Sequence, residues 1–179
     1  MEVLLSPDAL RAARNLAGLS QRSLEDAAKV ARSSIVAAES PNAPSSSTMV
    51  KLRSFYETRG MEFVGTVDLA TGIPSGLGVR WRMPSQIPPS NEQDQIVHTE
   101  PSGLAFAAAR GLLNLKQSDI VTLAKISEYK IRSLEAKRPV DEQSQKLLRT
   151  FYEINGIEFL GWGDVSRGVF YGVGVRRIG

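Results

Sequence analysis

The residues able to do chemistry in this chain are few and narrow in kind. There is no cysteine and one histidine, His98. Without thiolates there are no disulfides, Fe–S clusters or cysteine nucleophiles, a usage that fits a reducing cytosol. Histidine-rich metal sites and most histidine acid–base schemes rest on that one imidazole, and no partner cluster surrounds it in the sequence. His98 reads as an ordinary exposed histidine. No nucleophile–base set, phosphate loop or metal-ligand spacing is visible, so no catalytic, cofactor or metal residue is assigned and the chain is read as a non-enzyme. What recurs is ionic: Arg14 and Glu39 come back as Arg110 and Glu135. A bidentate arginine–carboxylate contact is specific in geometry. Each pair is expected to bridge the first helix of its unit to the end of the third.

The recurrence is general. Ala12-Ala13-Arg14 matches Ala108-Ala109-Arg110, Phe55-Tyr56-Glu57 matches Phe151-Tyr152-Glu153, and Gly78-Val79-Arg80 matches Gly174-Val175-Arg176. All lie at one offset of about 96 residues, and about 25 of the roughly 70 positions from 10 to 80 are identical in the second copy. The 179 residues therefore divide into two copies of one small domain, residues 1–82 and 101–179. Each is near the lower size at which a single core is self-sufficient. Residues 83–100 join them. This stretch contains Pro84, Pro88 and Pro89, carries Glu92, Asp94 and Glu100 with no Lys or Arg, and holds His98. It reads as a polar, semi-stiff linker.

Hydrophobic residues make up 42% and charged residues 23%, too apolar for a disordered chain. No apolar run approaches the roughly 20 residues of a membrane span, and no signal peptide is read at the N-terminus. The net charge of +3 averages unlike parts. Residues 1–82 carry 10 basic and 8 acidic groups, the linker three acids and no base, and residues 101–179 carry 12 basic and 8 acidic groups. The basic bias, a weak pointer to anionic partners, sits mainly in the second copy.

The elements follow from spacing. Leu10, Ala13, Leu16 and Ala17 recur at helical intervals, so residues 7–17 form a first helix, with Ser6 as N-cap and Pro7 at the first helical position. Ser20 caps a second helix over 21–28, with Leu24, Ala27 and Ala28 inward. After a break at 29–31, a third helix covers 32–39 with Ile35 and Ala38 inward. Residues 40–47 read as a Pro/Ser/Asn loop. Residues 48–59 form a fourth helix that buries Leu52 and Phe55 and stops at Gly60. Residues 61–64 and 79–82 are strands, with a loose turn region at 72–78; Val79 and Trp81 share one face, Arg80 and Arg82 the other. The second copy repeats the pattern with Phe106, Ala109, Leu112 and Leu115, then Ile120, Leu123 and Ala124, then Ile126, Ile131 and Leu134, then Leu148 and Phe151. Its strands are expected at 157–160 and 173–177. An apolar position kept through divergence within one chain is most simply core.

Two short helices joined by a tight turn, the second with a polar outer face, make a helix-turn-helix pattern. Leu19-Ser20-Gln21, Leu24, Ala28, Val30, Arg32-Ser33-Ser34-Ile35 and Glu39 resemble the lambda-repressor-like (XRE) helix-turn-helix family. The second copy matches through Leu115, Gln117, Ile120, Ala124, Ile126, Ser127, Ile131 and Glu135. Met61-Glu62-Phe63 and Gly78-Val79-Arg80 resemble the tail of a compact bacterial branch in which a short β element follows the helices. The resemblance covers both copies and omits the linker. It implies a mainly α fold with small β: two such domains, each of four or five short helices followed by a short β-hairpin. The expected assembly is a covalent pseudo-dimer joined through one shared antiparallel sheet. The alternative is separate copies, like beads, with a homodimer formed through strand edges.

The resemblance further implies that the third helix lies in the major groove of double-stranded DNA. At matching positions the first copy offers Arg32, Ser33, Ser34, Val36 and Ala37, and the second Glu128, Tyr129, Lys130, Arg132 and Ser133. Arginine pairs bidentately with guanine, and serine serves donors or acceptors. Gln21 and Gln117 start the second helix, where an amide and backbone N–H groups hold a phosphate. Lys137 and Arg138 suit backbone contact. A solvated helix face is the alternative for each charged residue. Two departures stand out. Lys29 and Lys125 occupy a turn that often has glycine, so the turn is expected to differ in shape. Ala31 stands where Ser127 is expected to cap the third helix. The nearly uncharged third helix of the first copy implies weaker DNA contact there. The function expected is a sequence-specific transcriptional regulator, a repressor, reading an imperfect palindrome or two unlike half-sites. It would be cytoplasmic and nucleoid-associated and need no cofactor. The alternative is a protein-interaction module, an antitoxin or antiactivator that masks a regulatory partner protein.

Overall fold

The structure is a computed structural model and describes residues 5–41, 46–87, 89 and 97–178. Pro88, Glu92 and Asp94 of the expected linker, and positions 42–45 of the expected loop, lie outside the described residues. The first copy runs α1 (Pro7–Leu16), α2 (Gln21–Ala28), α3 (Arg32–Ala38), α4 (Ser46–Thr58), β1 (Met61–Val67) and β2 (Pro74–Trp81). β3 (Thr99–Glu100) precedes the second copy, which runs α5 (Phe106–Leu112), α6 (Gln117–Ala124), α7 (Glu128–Glu135), α8 (Glu142–Ile154), β4 (Ile157–Asp164) and β5 (Val169–Arg177). Local chemistry sets the boundaries. Ser6 Oγ accepts from the Ala9 N–H at 3.1 Å, and Ser20 Oγ from the Ser23 N–H at 3.0 Å, each satisfying an orphan donor of a first turn.

The strands overturn the expected fold class of mainly helical copies, each closed by a small hairpin. Alongside eight helices, the described residues form one five-stranded antiparallel sheet, and the β layer is a principal part of the architecture. Pro74 to Gly78, read as turn, belong to β2, and β1, β4 and β5 all extend past their expected ends. Bulges are the reason. The register shifts between Val64 and Thr66 and again between Leu160 and Trp162. At those shifts Gly65 faces two residues of β2, Gly76 and Leu77, and Gly161 faces two of β5, Gly172 and Val173, with Gly76 and Gly172 left-handed at φ 62° and 61°. A bulge adds an unpaired residue and lets pairing resume beyond it, so the strands continue past the point where alternation stops.

The centre of the sheet joins the copies. β2 pairs with β5 through Gly78↔Arg176, Val79↔Val175 and Arg80↔Gly174. Val79 faces its own repeat-mate, Gly78 faces the mate of Arg80, and Arg80 faces the mate of Gly78, so the register is two-fold about Val79–Val175. A Cβ on Gly78 would stand 2.1 Å from the Val175 carbonyl oxygen, and one on Gly174 2.2 Å from that of Val79. Only glycine allows the strands to meet there. The copies are not separate beads. Across the helical layer, α1 packs on α5: Arg11 Nε donates to the Gly111 carbonyl at 3.2 Å and Asn15 Nδ2 to the Ala107 carbonyl at 2.9 Å.

One hydrophobic cluster runs through both copies. Leu10, Leu24, Ile35, Leu52 and Met61 in the first, and Phe106, Ile120, Ile131, Leu148 and Ile157 in the second, are essentially buried, each contributing roughly 1.5–3 kcal/mol. Two expected core positions are corrected: Ala27 and Leu123 are exposed, Leu123 by 58%. The two-turn helices α2 and α6 bury only the stripe through Leu24 and Ala28, or Ile120 and Ala124. Tyr56 and Tyr152, unassigned from sequence, are fully buried. Burial, reinforced by Glu39 and Glu135, raises their hydroxyl pKa values.

The C-terminal end of the linker is also corrected. Thr99 and Glu100 pair with Tyr171 and Phe170 of β5. His98 stacks on Trp81, with ring centroids 3.6 Å apart, and its Nε2 bonds Glu100 Oε1 at 2.8 Å. It stays exposed, as expected, and these two contacts hold the ring in place.

Candidate nucleic-acid interface

Each copy holds its third helix by the same ionic device. Arg14 Nε donates to Glu39 Oε1 at 2.6 Å and Nη2 to Oε2 at 3.0 Å. Arg110 donates to Glu135 in the same way at 2.5 and 3.1 Å. The expected bridge from first helix to end of third is present twice. The carboxylates are nearly buried, at 4% and 8% side-chain exposure. Burial alone would lower the Arg110 pKa, but the hydrogen bond and charge of Glu135 outweigh it and the net shift is upward. Gln21 Nε2 donates to Glu39 Oε2 at 3.0 Å and Gln117 Nε2 to Glu135 Oε2 at 2.7 Å. The two amides expected at a phosphate are thus committed to the bridges. The signal was in the repeat, because Gln21 and Glu39 recur together as Gln117 and Glu135.

The turn between the second and third helices keeps one shape in both copies. Lys29 lies at φ 53°, ψ 41° and Lys125 at φ 55°, ψ 39°, both left-handed. The expectation that lysine alters the turn is corrected: packing of the helix pair holds a conformation that costs a non-glycine residue about 1–2 kcal/mol. Capping is corrected too. Ser127 has the extended backbone of an N-cap, but its side chain makes no capping bond. Ala31 is compensated from elsewhere, as Glu25 Oε1 of α2 accepts the Arg32 N–H at 3.0 Å.

The outer faces differ. On α3, Arg32, Ser33, Val36 and Ala37 are exposed and Ser34 is half-buried. Arg32 has no ion pair among the described residues. On α7, Tyr129 is 77% exposed, and exposed Glu128 and Arg132 pair with each other at 2.5 Å. Lys130 Nζ sits 2.8 Å from both Asp141 Oδ2 and Ser144 Oγ at the start of α8. The Lys130 hydrogen bond, followed by those from Ser144, holds the Asp141 carboxyl well below the usual range.

Ser133 is a correction: expected as a base reader, it is 4% exposed. The chain reverses at Lys137, φ 58°, and the Arg138 N–H bonds the Ser133 carbonyl at 2.8 Å, returning the chain onto this turn. The first copy has Pro41 at the matching position. Its ring fixes φ negative, so the left-handed residue of the second copy has no counterpart at Pro41, and Ala37 is exposed. Lys137, expected at the DNA backbone, is paired with Glu100. Arg138 is exposed.

Among the described residues no group of three or more His, Asp or Glu side chains could hold a metal ion. Comparison with protein-family models, curated proteins and solved structures finds no match to the chain.

Proposed function

We propose that the chain is a sequence-specific double-stranded-DNA-binding regulator, a repressor, that sets α3 and α7 in successive major-groove segments. One observation carries this reading. Two helix–turn–helix pairs, each locked by an Arg–Glu–Gln bridge, are related by the two-fold register at Val79–Val175. Paired recognition elements related by two-fold symmetry match the two half-sites of an operator. Arg32, Tyr129, Arg132 and Arg138 are the exposed readers and backbone contacts, and the unlike faces of α3 and α7 call for unlike half-sites. The helix-turn-helix resemblance of α2–α3 and α6–α7 supports the same reading, and among the described residues no helix is long and apolar enough to cross a membrane. A nucleoid-associated location belongs to the proposal.

A second reading has its own support. Lys130, Arg132 and Lys137 are matched by Asp141, Glu128 and Glu100, while Leu123 and Tyr129 are exposed. Matched charge with exposed apolar side chains suits a module that masks a partner protein. Selection from a random-sequence duplex library, followed by anisotropy titrations at several salt concentrations, separates the two. A regulator enriches an asymmetric inverted repeat and loses affinity steeply with salt. No enrichment and no binding at low salt overturns the DNA reading in favour of the protein-interaction module.

A further inference from the structure

The third helix of each copy is tied to the opposite copy, and the two ties are built from unrelated residues. At the end of α3, Arg11 Nη1 donates to the Glu39 main-chain carbonyl while its Nε donates to the Gly111 carbonyl of α5 at 3.2 Å. Arg11 is 8% exposed, and its repeat-mate is Ala107, which can make neither bond. Past the end of α7, Lys137 Nζ pairs with Glu100 Oε2. The other oxygen of Glu100 accepts the Trp81 indole N–H from β2 of the first copy at 3.2 Å. Glu100 is 4% exposed, and the repeat-mates of Trp81 and Lys137 are Arg177 and Pro41.

Beside these ties, the copies meet along β2–β5 and along α1–α5, and the Arg11–Gly111 bond is itself part of the α1–α5 contact. The paired strands fix the register of the copies against sliding. The ties reach the C-terminal ends of α3 and α7 themselves and connect each to an element of the other copy or of the shared sheet. We infer that Arg11 and Glu100 are positioning residues that fix the separation and twist of α3 relative to α7, and thereby set which half-site spacing the protein accepts. The spacing consequence rests on the DNA reading above; the mechanical one does not. One inserted base pair moves the second half-site by about 3.4 Å and rotates it by roughly 34°. A clamped pair of helices cannot follow that displacement, and a hinged pair can.

Two measurements on the full chain test this. The absence of cysteine allows spin labels at Ser33→Cys and Tyr129→Cys, and the width of the α3–α7 distance distribution is read by pulsed electron resonance without DNA. A narrow distribution in the parent that broadens in Arg11→Met and in Glu100→Gln supports the clamps; unchanged widths overturn them. If either variant fails to fold, Arg11→Leu replaces the first and Trp81→Phe the second, each removing the donor of a tie while keeping much of the bulk. In unlabelled chains, the selected duplex is compared with derivatives one base pair longer or shorter between half-sites. The parent should lose roughly ten-fold in affinity on either change, and the variants less than about three-fold. Undiminished discrimination in the variants overturns the inference. Broadened distances in a chain that selects no duplex uphold the clamps and remove the DNA reading.

Discussion

Set side by side, α3 and α7 occupy the same place in their copies through the same bonds and turn different surfaces outward. Arg14–Glu39–Gln21 and Arg110–Glu135–Gln117 have matching partners and similar lengths. Outward, one helix shows Arg32, Ser33, Val36 and Ala37, and the other Glu128, Tyr129 and Arg132. Energetics explains the split. Removing one member of a buried ion pair leaves a charge unpaired, at about 3–5 kcal/mol, whereas exposed positions change within about 0.5 kcal/mol. The α1–α5 contact has diverged in a third way. Arg11 and Asn15 face Ala107 and Gly111, and a Cβ on Gly111 would stand 2.6 Å from Asn15 Nδ2 and 2.9 Å from the Arg11 carbonyl. Pairing two first copies would bring Asn15 where only glycine leaves room. The first copy is complementary to the second here and not to itself.

The most severe way to break this comparison is at the seam. Gly78→Val and Gly174→Val each place a Cβ against a carbonyl of the facing strand. Each should cost about 3 kcal/mol or more by overpacking against backbone that cannot yield. Urea denaturation measures it, and the two losses should be alike. Tolerance of either substitution would mean that the two-fold register is not what joins the copies. Next come the bridges. Arg14→Met and Arg110→Met should each cost roughly 3–5 kcal/mol, since Glu39 and Glu135 are left nearly buried without their cation. A large loss in one copy and none in the other would show that only one bridge holds its helix.

The helices were legible because their causes are local. Ser6 with Pro7, Ser20, and the Leu10–Ala13–Leu16 spacing act within a turn or two, and the second copy served as an independent reading of the same core. The arginine–glutamate bridges were legible for that second reason. The sheet was not. The bulges lie on β2 and β5, where left-handed Gly76 and Gly172 each begin a pair of residues facing the single Gly65 or Gly161, and this extra residue scrambles period-two alternation at the point where each expected strand stops. Thr99 and Glu100 make a two-residue strand held by long-range partners, Phe170 and Trp81, which no local pattern announces. Ser133 was misplaced for a similar reason: its burial comes with the reversal at Lys137, not with its place in the helical period. Lys130 and Lys137 look like free cations in sequence because their acids, Asp141 and Glu100, lie on other elements.

The difference in outer faces can be sharpened on DNA. Lys130→Ala combined with Arg132→Ala should weaken binding by about ten-fold, and Arg32→Ala by less than about three-fold. The internal pairing of α7 enlarges its share of the loss. Removing the two cations frees Glu128 and Asp141, which then repel the phosphates that the pairs had presented as neutral. Anisotropy on the selected duplex at two salt concentrations measures both variants. Equal losses would erase the functional asymmetry and leave the divergence of α3 and α7 without consequence for affinity.

The smallest effect tests the part of the comparison in which the copies agree. Lys29 and Lys125 hold nearly identical left-handed conformations. Lysine there carries about 1–2 kcal/mol of steric cost. Replacing it by glycine removes that cost but adds about 0.5–1 kcal/mol of conformational entropy lost on folding. The balance favours Lys29→Gly and Lys125→Gly by about 0.5–1 kcal/mol each, read as a rise in thermal midpoint that is equal in the two copies and adds in the double variant. Equality is the informative outcome, because the turn is set by how the second helix packs on the third, and that packing is what the copies share. A gain in one copy alone would mean that a lysine side chain makes a favourable contact in the other, and the common geometry would then be reached by two different balances of force.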